Sequence, residues 1–111
     1  MDEAHGTAAA PGRAQGPALA LTDQVLPDHL PVGAILVARV VHPFMTPVFF
    51  AAGGVIAEDG GVLQHAAIVA REFGIPAVVG VPDAVLRFGT ATVLEIDGDS
   101  GLIRSLSTER Q

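Results

Sequence analysis

One histidine of this 111-residue chain stands in a sequence context that could support covalent chemistry. His65 follows the pair Gly60-Gly61 and opens an alanine-rich apolar segment that reaches Phe73. This pattern predicts a glycine loop that delivers His65 to the first turn of a helix. Unpaired N–H groups and the positive end of the helix dipole lie there, and both favour an anion such as a phosphoryl group. The same field disfavours the imidazolium form, so we expect a neutral, nucleophilic His65.

The two glycines would shape the loop in front of this histidine. Gly60 and Gly61 carry no Cβ, which lets a phosphate or a partner's loop approach the backbone closely. The residues alone leave a second interpretation open, in which His65 is partly buried and caps its own helix.

Two apolar runs of strand length flank the predicted helix, at residues 54–57 and 77–81. Strand, helix and strand in this order predict a βαβ unit with two parallel strands, and hence an α/β fold. Gly74 is suited to the left-handed position after the helix, and Pro76 prevents its continuation. The helix face that we expect to be buried consists of Ala66, Val69, Ala70 and Phe73.

The rest of the chain predicts one domain with short elements. Residues 1–12 are small, polar and without periodicity, so we expect a disordered lead-in or a linker remnant. The domain would span residues 13–107, and residues 108–111 would form a frayed tail. The predicted further elements are strands at 17–22 and 34–41, helices at 47–52 and 82–89, and a hairpin of 90–96 with 102–106.

Composition excludes several functional classes. Twelve acidic residues stand against six arginines, and the formal charge of −6 argues against binding to nucleic acid. The absence of cysteine excludes disulfides and thiolate metal sites. No apolar run approaches the length of a membrane span and no basic-then-apolar leader begins the chain, so we expect a soluble cytoplasmic protein without membrane contacts.

Two further residues are weaker candidates for phosphate contact. Arg71 lies six residues after His65, about 9 Å along a helix axis, so its side chain would have to turn back. A structural ion pair with Glu72 or Glu95 is the alternative for Arg71. Thr46 could contact a phosphate, or it could cap the short helix predicted after it. The acidic turn near residue 97 lacks the ligand spacing of a calcium loop, and we predict no metal site.

The run G-G-V-L-Q-H-A-A-I-V-A-R-E-F-G-I-P-A-V-V-G, residues 60–80, closely resembles the phosphohistidine segment of phosphoenolpyruvate-utilising enzymes. These enzymes include pyruvate phosphate dikinase, phosphoenolpyruvate synthase and the rifampin phosphotransferases. Similar pieces recur at residues 11–18, 35–39 and 97–101, and the run P-F-M-T-P-V-F at 43–49 looks most like the rifampin branch.

The resemblance implies a swivelling β/β/α domain with a partly parallel sheet and short helices. It implies that His65 accepts a phosphoryl group on Nε2, and that Gly60, Gly61, Gln64 and Ala66 form the loop around it. The implied partners are an ATP-grasp nucleotide-binding domain or subunit and a second domain that holds the phosphoryl acceptor. Mg-ATP or phosphoenolpyruvate would bind to those partners, and this domain would bind no cofactor itself.

The same comparison leaves alternatives open. Relatives usually carry a small hydroxyl residue where this chain has Gln64, so a non-catalytic interaction or regulatory module that kept the fold is the second hypothesis. A swivelling subunit of a dehydratase is a third, although that role does not need His65. A short acidic domain cannot supply the metal and cations that phosphoryl transfer needs. We therefore expect a phosphotransferase component and not a complete enzyme.

Overall fold

The computed structural model describes residues 2–21, 32–41, 48–49, 51–59, 63–91 and 93–106. Within these residues lie nine strands and two helices. The strands are β1 (Asp2–His5), β2 (Thr7–Ala10), β3 (Arg13–Gly16), β4 (Ala18–Ala20), β5 (Ala34–Ala38), β6 (Ala52–Ala57), β7 (Ala77–Val79), β8 (Leu94–Asp97) and β9 (Leu102–Ser105). The helices are α1 (Leu63–Phe73) and α2 (Ala84–Phe88).

Two sheets form the body of the molecule. The four-stranded sheet has the order β1-β9-β8-β3 and is antiparallel throughout. The five-stranded sheet has the order β2-β7-β6-β5-β4, in which β4 to β7 run parallel and β2 runs antiparallel to β7. The prediction of an α/β fold with a partly parallel sheet and short helices is confirmed.

The inner strand β5 lies between two hydrophobic cores. Ile35 and Val37 point into the core shared with the four-stranded sheet, whereas Leu36 and Ala38 join the core beneath α1. Side chains alternate across a strand, so a strand covered on both faces needs an unbroken apolar sequence. This burial explains the continuous run at residues 34–38 and produces three layers, sheet on sheet on helix.

The predicted βαβ unit is present as β6, α1 and β7, with β6 and β7 parallel neighbours. Gly74 adopts a φ of +72°, and its N–H donates to the Arg71 carbonyl at 3.2 Å. The Ile75 N–H donates to the Ala70 carbonyl at 3.0 Å. These two bonds form a Schellman motif, which satisfies the last carbonyls of the helix. The predicted end of the helix is confirmed.

Helix α1 packs on the five-stranded sheet through small residues. Phe73 is half-buried and meets Phe49 edge to face, with ring centroids 6.0 Å apart. Ile68 lies on the outer face and is 53% exposed. The buried face contains Ala67, Val69 and Ala70, and the side chain of Ala66, predicted to share that face, lies outside the described structure.

The beginning of the chain is ordered into two edge strands. Strand β1 pairs with β9 and extends the four-stranded sheet, while β2 pairs with β7 and extends the five-stranded sheet. Ala9 and Ala10 are buried in the core beneath α1. The prediction of a disordered lead-in is therefore wrong for residues 2–10. Ladder hydrogen bonds and small side chains hold these strands, so they need no large apolar residues.

The other predicted elements are mostly confirmed with shorter bounds. Strands β4 and β5 fall within their predicted ranges, and β8 and β9 form the predicted hairpin. The helix predicted at 47–52 lies partly outside the described residues, and its last residue begins β6 instead. The tail at 108–111 also lies outside them. Neither described helix has the length and apolar character needed to cross a membrane.

Candidate functional site

His65 is the third residue of α1, in the first turn of the helix, as the sequence predicts. The backbone of Gln64, His65 and Ala66 is helical, and their side chains lie outside the described structure. Gly60 and Gly61 lie outside the described residues altogether. The structure therefore shows where the backbone of His65 lies in the fold, and the neighbouring strands describe the surroundings of that position.

The topology places the start of α1 at one particular edge of the five-stranded sheet. Strands β5, β6 and β7 run in the same direction, so their carboxyl ends share an edge. Helix α1 follows β6 after residues 58–62, and a crossover helix of this kind begins at that edge. Ligands of open α/β sheets bind in the crevice outside these strand ends. His65 thus belongs to the edge where such sheets usually carry function.

An open depression of about 440 Å³ lies at this edge. Strands β5, β6 and β7 are each followed by a pair of residues that lines it. The lining residues are Arg39 and Val40 after β5, Glu58 and Asp59 after β6, and Pro82 and Asp83 after β7. Among the described residues of this lining, three carboxylates therefore accompany one guanidinium, and the described lining is acidic.

Backbone hydrogen bonds fix the beginning of the connection to α1. The Glu58 N–H donates to the Ala38 carbonyl at 3.0 Å, and the Asp59 N–H donates to the Arg39 carbonyl at 2.9 Å. These bonds extend the pairing with β5 past the end of β6. The connection that carries His65 therefore leaves the sheet from a fixed point.

The carboxylate of Glu58 performs a task that sequence reasoning missed. Its Oε2 accepts a hydrogen bond from the Val85 N–H at 2.9 Å, in the first turn of α2. Asp83 occupies the cap position directly before α2, but it adopts a φ of +57° and makes no side-chain cap bond. Glu58 thus supplies an oxygen to the unpaired amides of α2 from 27 residues away. No local signal in the sequence identifies so distant a pair.

Arg71 lies in the last turn of α1, at the end opposite His65. It is exposed and lines an open groove of about 460 Å³ together with Pro11, Gly74 and Ile75. Glu95, one of the two acids predicted to pair with Arg71, contacts Arg104 at 3.4 Å. Thr46, the other weaker candidate, lies outside the described residues.

The acidic turn between β8 and β9 is stabilised from within. Asp97 Oδ1 accepts hydrogen bonds from the N–H groups of Asp99 at 2.9 Å and Ser100 at 3.3 Å, and Oδ2 lies 3.2 Å from Arg13 Nε. The Asp99 bond is the main cause that lowers the pKa of Asp97. Among the described residues, no group of three or more histidine, aspartate or glutamate side chains could hold a metal ion.

The fold and the position of the helix that carries His65 define a class of domain. The model of the family described as "PEP-utilising enzyme, mobile domain" matches residues 30–101, which is more than half of the chain. The chain belongs to this family, as the resemblance of the sequence predicted.

Relatives of known sequence agree. The chain is 39% identical over 102 residues to the uncharacterized phosphotransferase YvkC of Bacillus subtilis, which covers 92% of this chain and 12% of that protein. It is 38% identical over 98 residues to a probable phosphoenolpyruvate synthase of Pyrococcus abyssi, and these residues are 88% of this chain and 12% of that protein. It is 38% identical over 96 residues to the rifampicin phosphotransferase of Streptomyces sviceus, and these residues are 86% of this chain and 11% of that protein. The chain thus spans only about an eighth of the length of these relatives.

Solved structures share the architecture. The NMR structure of the Enzyme I protein nEIt superposes with a TM-score of 0.63 at 28% identity, over 72% of this chain and 33% of that one. Aconitase X of Thermococcus kodakaraensis superposes with a TM-score of 0.72 at 19% identity, over 96% and 100%. At so low an identity the second likeness concerns the fold alone.

Proposed function

We propose that this domain carries a phosphoryl group on His65 between two sites on partner domains. The donor would be Mg-ATP in an ATP-grasp domain or subunit, or phosphoenolpyruvate, and a second domain would hold the acceptor. The observation that carries the proposal is the place of His65 in the first turn of α1, at the shared carboxyl edge of β5, β6 and β7. Membership of the mobile-domain family supports it.

The transfer consists of two balanced displacements. An imidazole nitrogen of His65 forms a bond to phosphorus while the bond from phosphorus to the donor oxygen breaks, and the departing oxygen keeps the electron pair. At the second site an acceptor oxygen that has given up its proton to a base of the partner domain forms a bond to phosphorus. The N–P bond then breaks, and the imidazole recovers its lone pair. His65 returns to its initial state, as a carrier must.

The first turn of α1 provides donors for the phosphoryl oxygens. The N–H groups of Leu63, Gln64 and His65 have no acceptor within the helix, and the helix dipole adds a favourable potential. Gly60 and Gly61 would allow close approach to the loop, and Gln64 and Ala66 would flank the phosphoryl group. These four residues form the proposed phosphate-binding loop.

The charges at this edge explain why partners are required. The described lining of the depression carries three carboxylates, those of Glu58, Asp59 and Asp83, beside the guanidinium of Arg39. Phosphoryl transfer needs metal ions and cations around the migrating charge. We therefore assign the positive groups to the partner domains, and the domain functions as one component of a phosphotransferase.

The experiment mixes the domain with ATP-grasp proteins from the same organism and with ATP labelled in the β- or γ-phosphate, or with labelled phosphoenolpyruvate. We expect acid-labile, base-stable label that disappears in His65→Ala. His5→Ala is the matched control, because His5 lies in β1 at the edge of the other sheet. Label that survives His65→Ala would refute the proposal. Partner binding without any phosphorylation, unchanged by His65→Ala, would select the non-catalytic interaction module instead.

A further inference from the structure

We propose that Glu58 is a positioning residue for phosphoryl transfer, because its side chain ties α2 to the beginning of the connection that presents His65. The inference rests on the proposed function of His65 and adds a residue that the family resemblance does not assign. Its basis is the hydrogen bond of 2.9 Å between Glu58 Oε2 and the Val85 N–H.

Glu58 is held from two sides. Its backbone N–H pairs with the Ala38 carbonyl at the end of β5, and its carboxylate bonds to α2. The preceding residue is fixed as well, since the Val81 N–H donates to the Ala57 carbonyl at 3.2 Å. The last residue of β6 and the first residue of the connection are therefore attached to β5, to Val81 beyond the end of β7, and to α2.

Helix α2 is a firm anchor for this contact. Ala84 and Phe88 are completely buried in the core between the sheets. The Arg87 guanidinium donates to the Glu3 carbonyl in β1 at 2.8 Å. A side chain bonded to α2 is thus bonded to the body of the domain.

Because few residues separate Glu58 from α1, the fixed position of Glu58 limits where the helix that carries His65 can lie. Residues 60–62 alone separate Asp59 from Leu63, the first residue of α1. The four steps along the chain from Asp59 to Leu63 can span at most about 14 Å. The direction in which residue 58 leaves the sheet therefore restricts where α1 can begin. Loss of the Glu58 bond would widen the range of positions open to His65.

Three variants separate the reach of the side chain from its charge. Glu58→Gln keeps the length and an acceptor oxygen but removes the charge, whereas Glu58→Asp keeps the charge and withdraws the oxygen by one methylene. Glu58→Ala removes both. Misplacement of a reacting group by about 1 Å can cost about 100-fold in rate, and we expect Glu58→Asp and Glu58→Ala to slow labelling of His65 by about tenfold or more. Glu58→Gln should label close to the wild-type rate.

The measurement is the initial rate of labelling at saturating donor, below the Tm of every variant, together with hydrogen exchange at the Val85 amide. Slow labelling and fast Val85 exchange in Glu58→Asp, both restored in Glu58→Gln, support the inference even if Glu58→Ala does not fold. Wild-type labelling in Glu58→Asp overturns it, as does slow labelling in Glu58→Gln. After either of these two results, loss of label in His65→Ala still supports the proposed function of His65. A wild-type domain that takes up no label would contradict both that function and the role of Glu58.

Discussion

Gly6 and Gly101 meet backbone to backbone, where the start of the chain crosses the turn between β8 and β9. The Gly6 N–H donates to the Gly101 carbonyl at 2.9 Å. A Cβ added to Gly101 would overlap the Gly6 carbonyl oxygen, and Gly101 also adopts a φ of +87°. The contact fastens the link between β1 and β2 to the hairpin, and it can form only without a side chain at position 101.

Substitution of Gly101 should therefore destabilise the domain more than conformational strain alone would. Gly33 provides the control, since its φ is +81° but no described residue lies within 4 Å of an added Cβ. We expect Gly33→Ala to cost about 1 kcal/mol from the left-handed backbone. Gly101→Ala should cost about 1–3 kcal/mol more, because the overlap forces the backbones apart. Urea unfolding of both variants measures the difference, and equal losses would contradict a close contact.

This contact also shows what the sequence could not predict. Strands β1 and β2 consist mainly of small and polar residues, and their pairing with β9 and β7 joins residues far apart in sequence. Backbone hydrogen bonds at the sheet edges hold these strands in place. Such bonds do not require alternating hydrophobic residues, so the sequence shows no strand pattern there. Strand β3 escaped prediction for the same reason.

The helix that carries His65 was predictable because its signals are local. Apolar runs covered on both faces predict β6 and β7, and Gly74 followed by Pro76 predicts the end of α1. The bond from Glu58 to α2 joins residues 27 positions apart and depends on the tertiary arrangement. Local pattern thus located the nucleophile, and the structure was needed to find the residue that anchors its connection.

The carboxyl group of Asp97 should make stability depend on pH in the acid range. Hydrogen bonds from the turn, chiefly from Asp99, lower the pKa of Asp97 below its ordinary 3.8. The stabilisation is fully present above the pKa of the unfolded chain, and it is lost as pH falls through the lower pKa of the folded state. As the pH falls from about 6 to about 2, the free energy of unfolding measured with urea should therefore decrease more for the wild type than for Asp97→Asn. A difference between the two proteins that does not change with pH would contradict this assignment.

Asp83 directly precedes α2 with a left-handed backbone, at a φ of +57°, and gains no cap bond from its side chain. A glycine there removes the steric cost of the Cβ, partly offset by the greater freedom of glycine in the unfolded chain. We expect Asp83→Gly to be more stable than Asp83→Ala by about 0.5–1 kcal/mol. Because the two variants lack the carboxylate equally, their difference in urea unfolding isolates the backbone. Equal stability would argue against a left-handed residue at this position.

Arg71 should contribute to the stability of α1 and not to phosphoryl transfer. Its place in the last turn, beside Gly74 and Ile75, sets its charge against the negative end of the helix dipole. We expect Arg71→Ala to cost about 0.3–1 kcal/mol in unfolding free energy, and Arg71→Lys to recover most of it. Labelling of His65 should continue at close to the wild-type rate in both variants, because about 9 Å of helix separates the two positions. Loss of label in Arg71→Ala with the helix intact by circular dichroism would instead show that the side chain turns back to hold the phosphoryl group.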